Sequence, residues 1–308
     1  MSPLREALER YISMRRGFGH KLKCDALLLS RFVAHMDQQG ATIVTSKLAL
    51  DWATQESRPP TWPGRLSAVR GFARHLSSTE PRTEIPPCGI LAAAQRRTPY
   101  IYTDREIANL LDAMLEYPSA KGLHRWTYHC LFGLLAVTGL RVSEAFKLKR
   151  DDVDLDAGVL TIRDTKFGKS RVVPIHSTTA SVLSDYARRR DALRSTPISP
   201  TFFVGEQGRE LNHGAIYLAF CTISRQIGLR HSSDAYSGPR IHDLRHSYAV
   251  ATLIRWYRDG EDVEQLLPVL STYLGHGHIN STYWYLSACP ELMEHAARRL
   301  ETRWETLS

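Results

Sequence analysis

Cysteine is scarce and unpatterned in this chain. Cys24, Cys88, Cys130, Cys221 and Cys289 are scattered, odd in number and without C-x-x-C spacing. Neither a disulfide framework nor a zinc site is implied, and reduced thiols in a cytoplasmic protein are expected. Long apolar runs are missing as well. No window approaches the roughly eighteen residues that a membrane span needs. The N-terminal stretch MSPLREALERYISMRR is charged and has no apolar signal core, so export is not expected. There is no GxxxxGK[ST] loop for a nucleotide and no clustered metal-ligand spacing. Internal repeats and low-complexity tracts are absent too.

What is present is basic charge, unevenly placed. The chain carries a formal +8. Residues 1–100 hold 15 Lys and Arg against 8 Asp and Glu, whereas residues 101–308 hold 25 against 24. A small basic body is joined to a nearly neutral larger one. That asymmetry favours a polyanionic partner, because phosphate contacts supply most of the affinity in such complexes.

Apolar spacing predicts four short helices in the first body, at 3–16, 22–38, from a Ser46 cap through Trp52, and at about 63–76. Gly17-Phe18-Gly19 separates the first two. Arg15, Arg16, Lys21, Lys23, Arg65, Arg70 and Arg74 are expected on its surface as candidate phosphate contacts. Between Ser77 and Tyr100 the prolines 81, 86, 87 and 99 break the helical period, which marks a linker over 81–100. Thr103-Asp-Arg-Glu106 reads as a capping box that opens a second domain, 101–308.

That domain reads as mainly helical, with helices at 104–116, 122–137, 143–149, 178–194, 212–227, 243–258, 262–273 and 290–305. One small β insertion interrupts them. GVLTIRD alternates apolar and polar residues, TKFGKS turns at Gly168, and RVVPI returns.

Four stretches carry reactive side chains. TGLRVSEA places Arg141 at a helix junction, with Glu144 three positions on and able to hold its guanidinium. Lys166 enters the hairpin turn, with Lys169 as its rival. A lysine stays protonated at neutral pH and can act as an acid there. His242 and Arg245 share a helix face at i and i+3, and His246 turns to the core as support. STYLGHGHINSTYWYL offers His276 on a glycine-flanked bend and, nine residues on, Tyr285 in a short helix that Ser281 can cap. Tyr283 precedes it by two. Two arginines can clamp both non-bridging oxygens of a phosphate. A phenol near pKa 10 needs such help to act as a nucleophile.

The order TGLRVSEA, TKFGKSRVVPI, HDLRHSYA, LGHGHINSTYWYL, behind a basic helical unit, resembles the tyrosine recombinase (phage integrase) family over essentially the whole chain. The resemblance implies an N-terminal core-binding domain over 1–80 and a catalytic domain over 101–308, clamped on double-stranded DNA. It implies that Tyr285 forms a 3′-phosphotyrosyl bond and Tyr283 does not. Arg141 and Arg245 would hold the phosphate, Lys166 would protonate the 5′-oxygen, and His242 and His276 would complete the pocket. It also implies no cofactor, a homotetramer on DNA with its last helix docked on a neighbour, and strand exchange through a Holliday junction. Partner recombinases of the same element are a further possibility. The long span between Arg245 and His276, with the TYWYL ending, is similar to transposon-borne members. A type IB topoisomerase-like nicking-closing enzyme and a non-cutting DNA-binding accessory protein stay open as alternatives.

Overall fold

The computed structural model describes residues 2–55, 59–92, 97–163, 170–193, 196–231, 238–288, 291–294 and 297–298. They form two compact units, Met1–Arg97 and Thr98–Ser308.

The first unit is built on α1 (Pro3–Gly17), α2 (Lys23–Gln38), α3 (Ser46–Thr54) and α4 (Trp62–Leu76). Each helix starts where the local chemistry allows. Ser2 accepts from the Arg5 amide ahead of a proline at the first helical position. Thr45, rather than Ser46, caps α3 by accepting from the Leu48 amide at 3.2 Å. The core is formed by Leu8, Leu29, Phe32, Met36, Trp52, Leu66, Val69 and Phe72, with Phe32 edge-on to Trp52 at 5.2 Å. The proline-rich stretch expected as a linker is docked over its first part. Glu84 donates its amide to Val44 O at 2.9 Å and accepts from the Ser46 amide at 2.7 Å. Arg70 donates to the Pro86 and Pro87 carbonyls at 2.7 and 2.8 Å. Prolines present carbonyls without competing amides, so this is how a helix-breaking segment can still be tied down.

The second unit contains α5 (Asp104–Leu115), α6 (Leu123–Thr138), α7 (Val142–Lys147), α8 (Ser177–Leu193), α9 (His213–Gln226), α10 (Ile241–Arg258), α11 (Val263–Leu274) and α12 (Asn280–Ala288). The Thr103–Glu106 capping box is formed as its sequence predicts. Helix α6 is apolar nearly all round and runs through the centre, packed by α5, α8 and α10. A three-stranded antiparallel sheet, β1 (Val153–Asp154), β2 (Val159–Ile162) and β3 (Arg171–Pro174), adds one short strand to the expected pair. Leu160 pairs with Val173, and both point into the core, while Val172 faces solvent. The period-2 pattern therefore decides which side of β3 carries Arg171.

A separate cluster of Val250, Leu253, Leu267, Leu270, Leu274, Tyr285 and Leu292 binds α10, α11 and α12 together. Residues 291–294 and 297–298 are helical within the expected last helix, the rest of which lies outside the described residues. Among the described residues no helix is long and apolar enough to cross a membrane. The four described cysteines are free.

Candidate active site

The site is assembled at the C-terminal end of α11. The last four carbonyls of a helix have no intrahelical donor. Gly275, at φ +70°, closes α11 with the His276 amide on Ser271 O and the Gly275 amide on Thr272 O, both at 2.9 Å. That leaves the carbonyls of Tyr273, Leu274 and Gly275, and each receives an arginine. Arg171 Nε donates to Tyr273 O at 2.8 Å, Arg245 Nη2 to Leu274 O at 2.8 Å, and Arg141 Nη2 to Gly275 O at 2.6 Å. Three consecutive carbonyls thus gather three guanidiniums, at the end of the helix where the backbone dipole favours positive charge.

Each arginine comes from a different element. Glycine ends α6 in a left-handed turn, at Gly139 (φ +60°), and Arg141 stands as the residue before α7. Arg245 lies in the second turn of α10, buried, and its Nη1 reaches Gly139 O at 2.7 Å. One arginine therefore ties the TGLR bend to the LGH bend. Arg171 opens β3.

Glu144 sits among them. Its Oε1 accepts from Arg141 Nη1 at 2.8 Å and Arg171 Nη1 at 3.0 Å. Its Oε2 accepts from Arg171 Nη2 at 2.8 Å and the Arg141 amide at 3.0 Å. Burial alone would raise this carboxyl, but the bonds from Arg171 and Arg141 outweigh it and hold Glu144 at about 2. Arg245 is pushed down to about 10, first by burial and then by Arg141, with the Tyr285 oxygen and Glu144 acting against the shift. It stays charged at neutral pH.

Tyr285 is buried on α12, close enough to Arg245 that its phenol oxygen acts to raise that guanidinium's pKa. Its ring lies 6.0 Å from that of His276, inclined to it by 28°, and 5.4 Å from that of His246. Tyr283, two positions earlier, is exposed. A two-residue step on a helix turns a side chain by about 200°, so only one of the two phenols can enter the site. Helix α12 starts at Asn280, which puts Ser281 inside it and not at its cap.

His276 Nδ1 is 2.7 Å from the Thr282 hydroxyl. Burial, followed by Arg245 and Arg141, lowers its pKa to about 3. His246, also buried, is lowered to about 4 by burial and then His242, and its Nδ1 has no hydrogen-bond partner among the described residues. His242 lies at the rim of the same cluster, 4.8 Å ring to ring from His246, and its pKa is lowered by partial burial and by Arg245. His246 and His276 are therefore neutral at pH 7 and can accept or relay a proton.

Arg141, Glu144, His242, Arg245, His246, His276 and Tyr285 therefore come together. Lys166 and Lys169, with the rest of their turn, lie outside the described residues. Arg171 and Thr282 are additions to the set that sequence reasoning named. The strand register carries Arg171, and nothing in the one-dimensional pattern ties it to Glu144, 27 residues away. Among the described residues no three His, Cys, Asp or Glu side chains are grouped as metal ligands.

Of the cations expected on the first unit, Arg16, Lys21, Lys23 and Arg74 are exposed, and Arg15 is partly so. Arg65 is a correction. It is buried, donates to Trp52 O at 2.8 Å and stacks 4.0 Å above the Trp52 ring. A cation on an aromatic face with a satisfied carbonyl belongs to the core of the bundle. Arg70 is committed to the proline carbonyls described above.

The fold matches that of solved DNA recombinases. The Tn1549 transposon integrase, in complex with transposon right end DNA, superposes with a TM-score of 0.67 at 14% identity, over 96% of this chain and 98% of its own. The XerH site-specific recombinase bound to difH substrate gives 0.65 at 21%, over 90% and 78%. The profile of the phage integrase family matches residues 102–291. An integrase/recombinase of Sinorhizobium fredii, y4rB, is 50% identical over 99% of both chains, and a second from that organism, y4rE, is 35% identical over 96% and 95%. The family profile and the curated relatives define a DNA strand-exchanging class of enzyme. The chain belongs to the phage integrase family, the tyrosine-type site-specific recombinases.

Proposed function

We propose that this recombinase cleaves and rejoins duplex DNA through a 3′-phosphotyrosyl bond at Tyr285, in the service of a mobile element. The observation that carries the reading is the carbonyl comb at the end of α11, which gathers Arg141 and Arg245 while Tyr285 is buried beside Arg245. A scissile phosphate seated on the two guanidiniums has both non-bridging oxygens clamped. The Tyr285 oxygen attacks phosphorus as its proton passes to a neighbouring neutral imidazole, the bond to the 5′-oxygen breaks, and Lys166 supplies the proton to that leaving oxygen. His276, His242 and His246 hold or relay protons beside the reacting centre. The reverse attack, by a 5′-hydroxyl from another strand, reseals the backbone and frees the tyrosine. The number of high-energy bonds does not change. Arg141 and Arg245 are preorganised for the charge that develops on the equatorial oxygens, and losing one such donor typically costs about 10²–10³ in rate.

The exposed cations of the first unit, Arg16, Lys21, Lys23 and Arg74, contact the duplex backbone. Several copies assemble on DNA; lambda integrase, of similar fold, is solved as a dimer bound to a COC' core site and as a tetramer bound to a Holliday junction. The test begins with a randomised pool of nicked suicide duplexes. Covalent protein–DNA adducts are recovered and sequenced, which also supplies a cleavable site. Wild type and Tyr283→Phe form the adduct and Tyr285→Phe does not. An adduct that persists in Tyr285→Phe would overturn the assignment.

A further inference from the structure

We propose that Arg171 is a positioning residue for DNA cleavage, holding Arg141 on line through Glu144; this rests on the reading of Arg141 and Arg245 as the phosphate clamp. Arg171 spends its donors inside the protein. Nε goes to Tyr273 O, and both Nη atoms fork onto Glu144. Its side chain is 11% exposed, against 28% for Arg141. Arg141 has two side-chain bonds, to Glu144 and Gly275 O, and keeps further N–H groups free to face a ligand. The two cations share one carboxylate and differ in which way they face.

The geometry explains why the second cation is needed. Glu144 and Arg141 alone would form a side-on, two-bond pair, the usual preference of a guanidinium and a carboxylate. Such a pair would draw Arg141 off Gly275 O and turn its free N–H groups away from the site. Arg171 forks across both carboxylate oxygens, so Arg141 meets Glu144 through one Nη only and stays on Gly275 O. Arg171 also pins the start of β3 to the last turn of α11, which carries the Leu274 and Gly275 carbonyls. It therefore fixes both the carbonyl and the carboxylate that aim Arg141. A misplacement on the order of 1 Å in such a group can cost about 10²-fold in rate.

The experiment uses the full chain and a suicide duplex recovered from the pool above. Wild type, Arg171→Ala and Arg171→Lys are compared in single-turnover cleavage at saturating duplex. Each is run with an ordinary phosphodiester and with a neutral methylphosphonate at the scissile position. A methylphosphonate lacks the charge that the clamp serves. Arg171→Ala is expected to lose about 10²-fold on the phosphodiester, with duplex affinity unchanged, and less than about tenfold on the methylphosphonate. Arg171→Lys, which keeps the cation and loses the fork, falls between the two. A general loss of structure would slow both substrates alike. Equal deficits on the two substrates in either variant, or no deficit, overturn the role of Arg171. Failure of the clamp reading looks different. In that case Arg141→Ala in an otherwise wild-type chain shows no greater deficit on the phosphodiester than on the methylphosphonate.

Discussion

A single methyl group at Gly275 tests the geometry most sharply. Gly275 is at φ +70°, and a Cβ there would stand 2.8 Å from Arg171 Nη1, 3.0 Å from its Cζ and 3.3 Å from Arg141 Nη1. These are not loose side-chain ends. Both guanidiniums are bonded to Glu144 and to backbone carbonyls of the same turn, so neither can retreat without losing a bond. Two costs arise in Gly275→Ala. The left-handed backbone costs an alanine about 1–2 kcal/mol. The clash displaces Arg141 and Arg171 by several tenths of an ångström or more, which is expected to cost about 10²-fold in cleavage. Gly260→Ala separates these costs. Gly260 has φ +73° and nothing within 4 Å of its Cβ position, so it carries the backbone penalty alone. Both variants should melt a few degrees below wild type, at about 2–4 °C per kcal/mol for a unit of this size. Only Gly275→Ala should lose single-turnover cleavage. If the two variants cleave suicide duplex within about threefold of each other, the tight seating of the guanidiniums against Gly275 is wrong.

Acid should weaken the fold before it unmasks Glu144. An unfolded imidazole titrates near about 6.5, whereas folded His246 and His276 are held at about 4 and about 3. Between those values the unfolded chain binds more protons, so stability rises with pH; moving from pH 7 to 5 should cost up to roughly 2 kcal/mol per histidine. Urea midpoints that coincide at the two pH values would refute it. Glu144 has the depressed folded value of a paired acid. Its contribution is present above an unfolded pKa of about 4.3 and is lost only as pH falls toward 2. Arg65→Ala should destabilise the chain by about 2–4 kcal/mol, through the lost Trp52 carbonyl bond and ring stacking. Arg74→Ala should change stability by less than about 0.5 kcal/mol and instead reduce the salt slope of duplex binding by about 1; melting curves and anisotropy titrations in a salt series separate them. Phe72→Ala, at the centre of the first bundle, should lose about 3–5 kcal/mol, readable as a lower urea midpoint.

Elements with a strong local signature were legible before any fold was known. The helices of both units follow their apolar spacing, and the Thr103–Glu106 box opens α5 where the motif says it should. The bend at His276 was readable from its flanking glycines. What was not readable depends on contacts between distant segments. Arg65 has the same local pattern as the exposed cations around it, and only the placement of Trp52 thirteen residues earlier makes it a core residue. The stretch after Ser77 looks like a linker because its prolines break helical period, yet period says nothing about whether carbonyls find donors. Arg171 is one of many basic residues in the hairpin region. Its partners, Glu144 and Tyr273, lie 27 and 102 residues away.

Gathering cations before a substrate arrives is costly in itself. Three guanidiniums within bonding reach of three successive carbonyls repel one another, and partial burial strengthens that repulsion. One carboxylate, Glu144, cannot neutralise them. The remaining compensation comes from groups with partial charge: the carbonyls of Tyr273, Leu274, Gly275 and Gly139, and the dipole of α11. This division matters for what the site can hold. Had a second carboxylate replaced those carbonyls, the cluster would be near neutral and a phosphate would have little to gain by entering. Carbonyls orient the guanidiniums and leave the net positive charge in place. On the proposed reading of the site, that surplus serves an incoming phosphate and grows in value as charge builds on its oxygens during reaction.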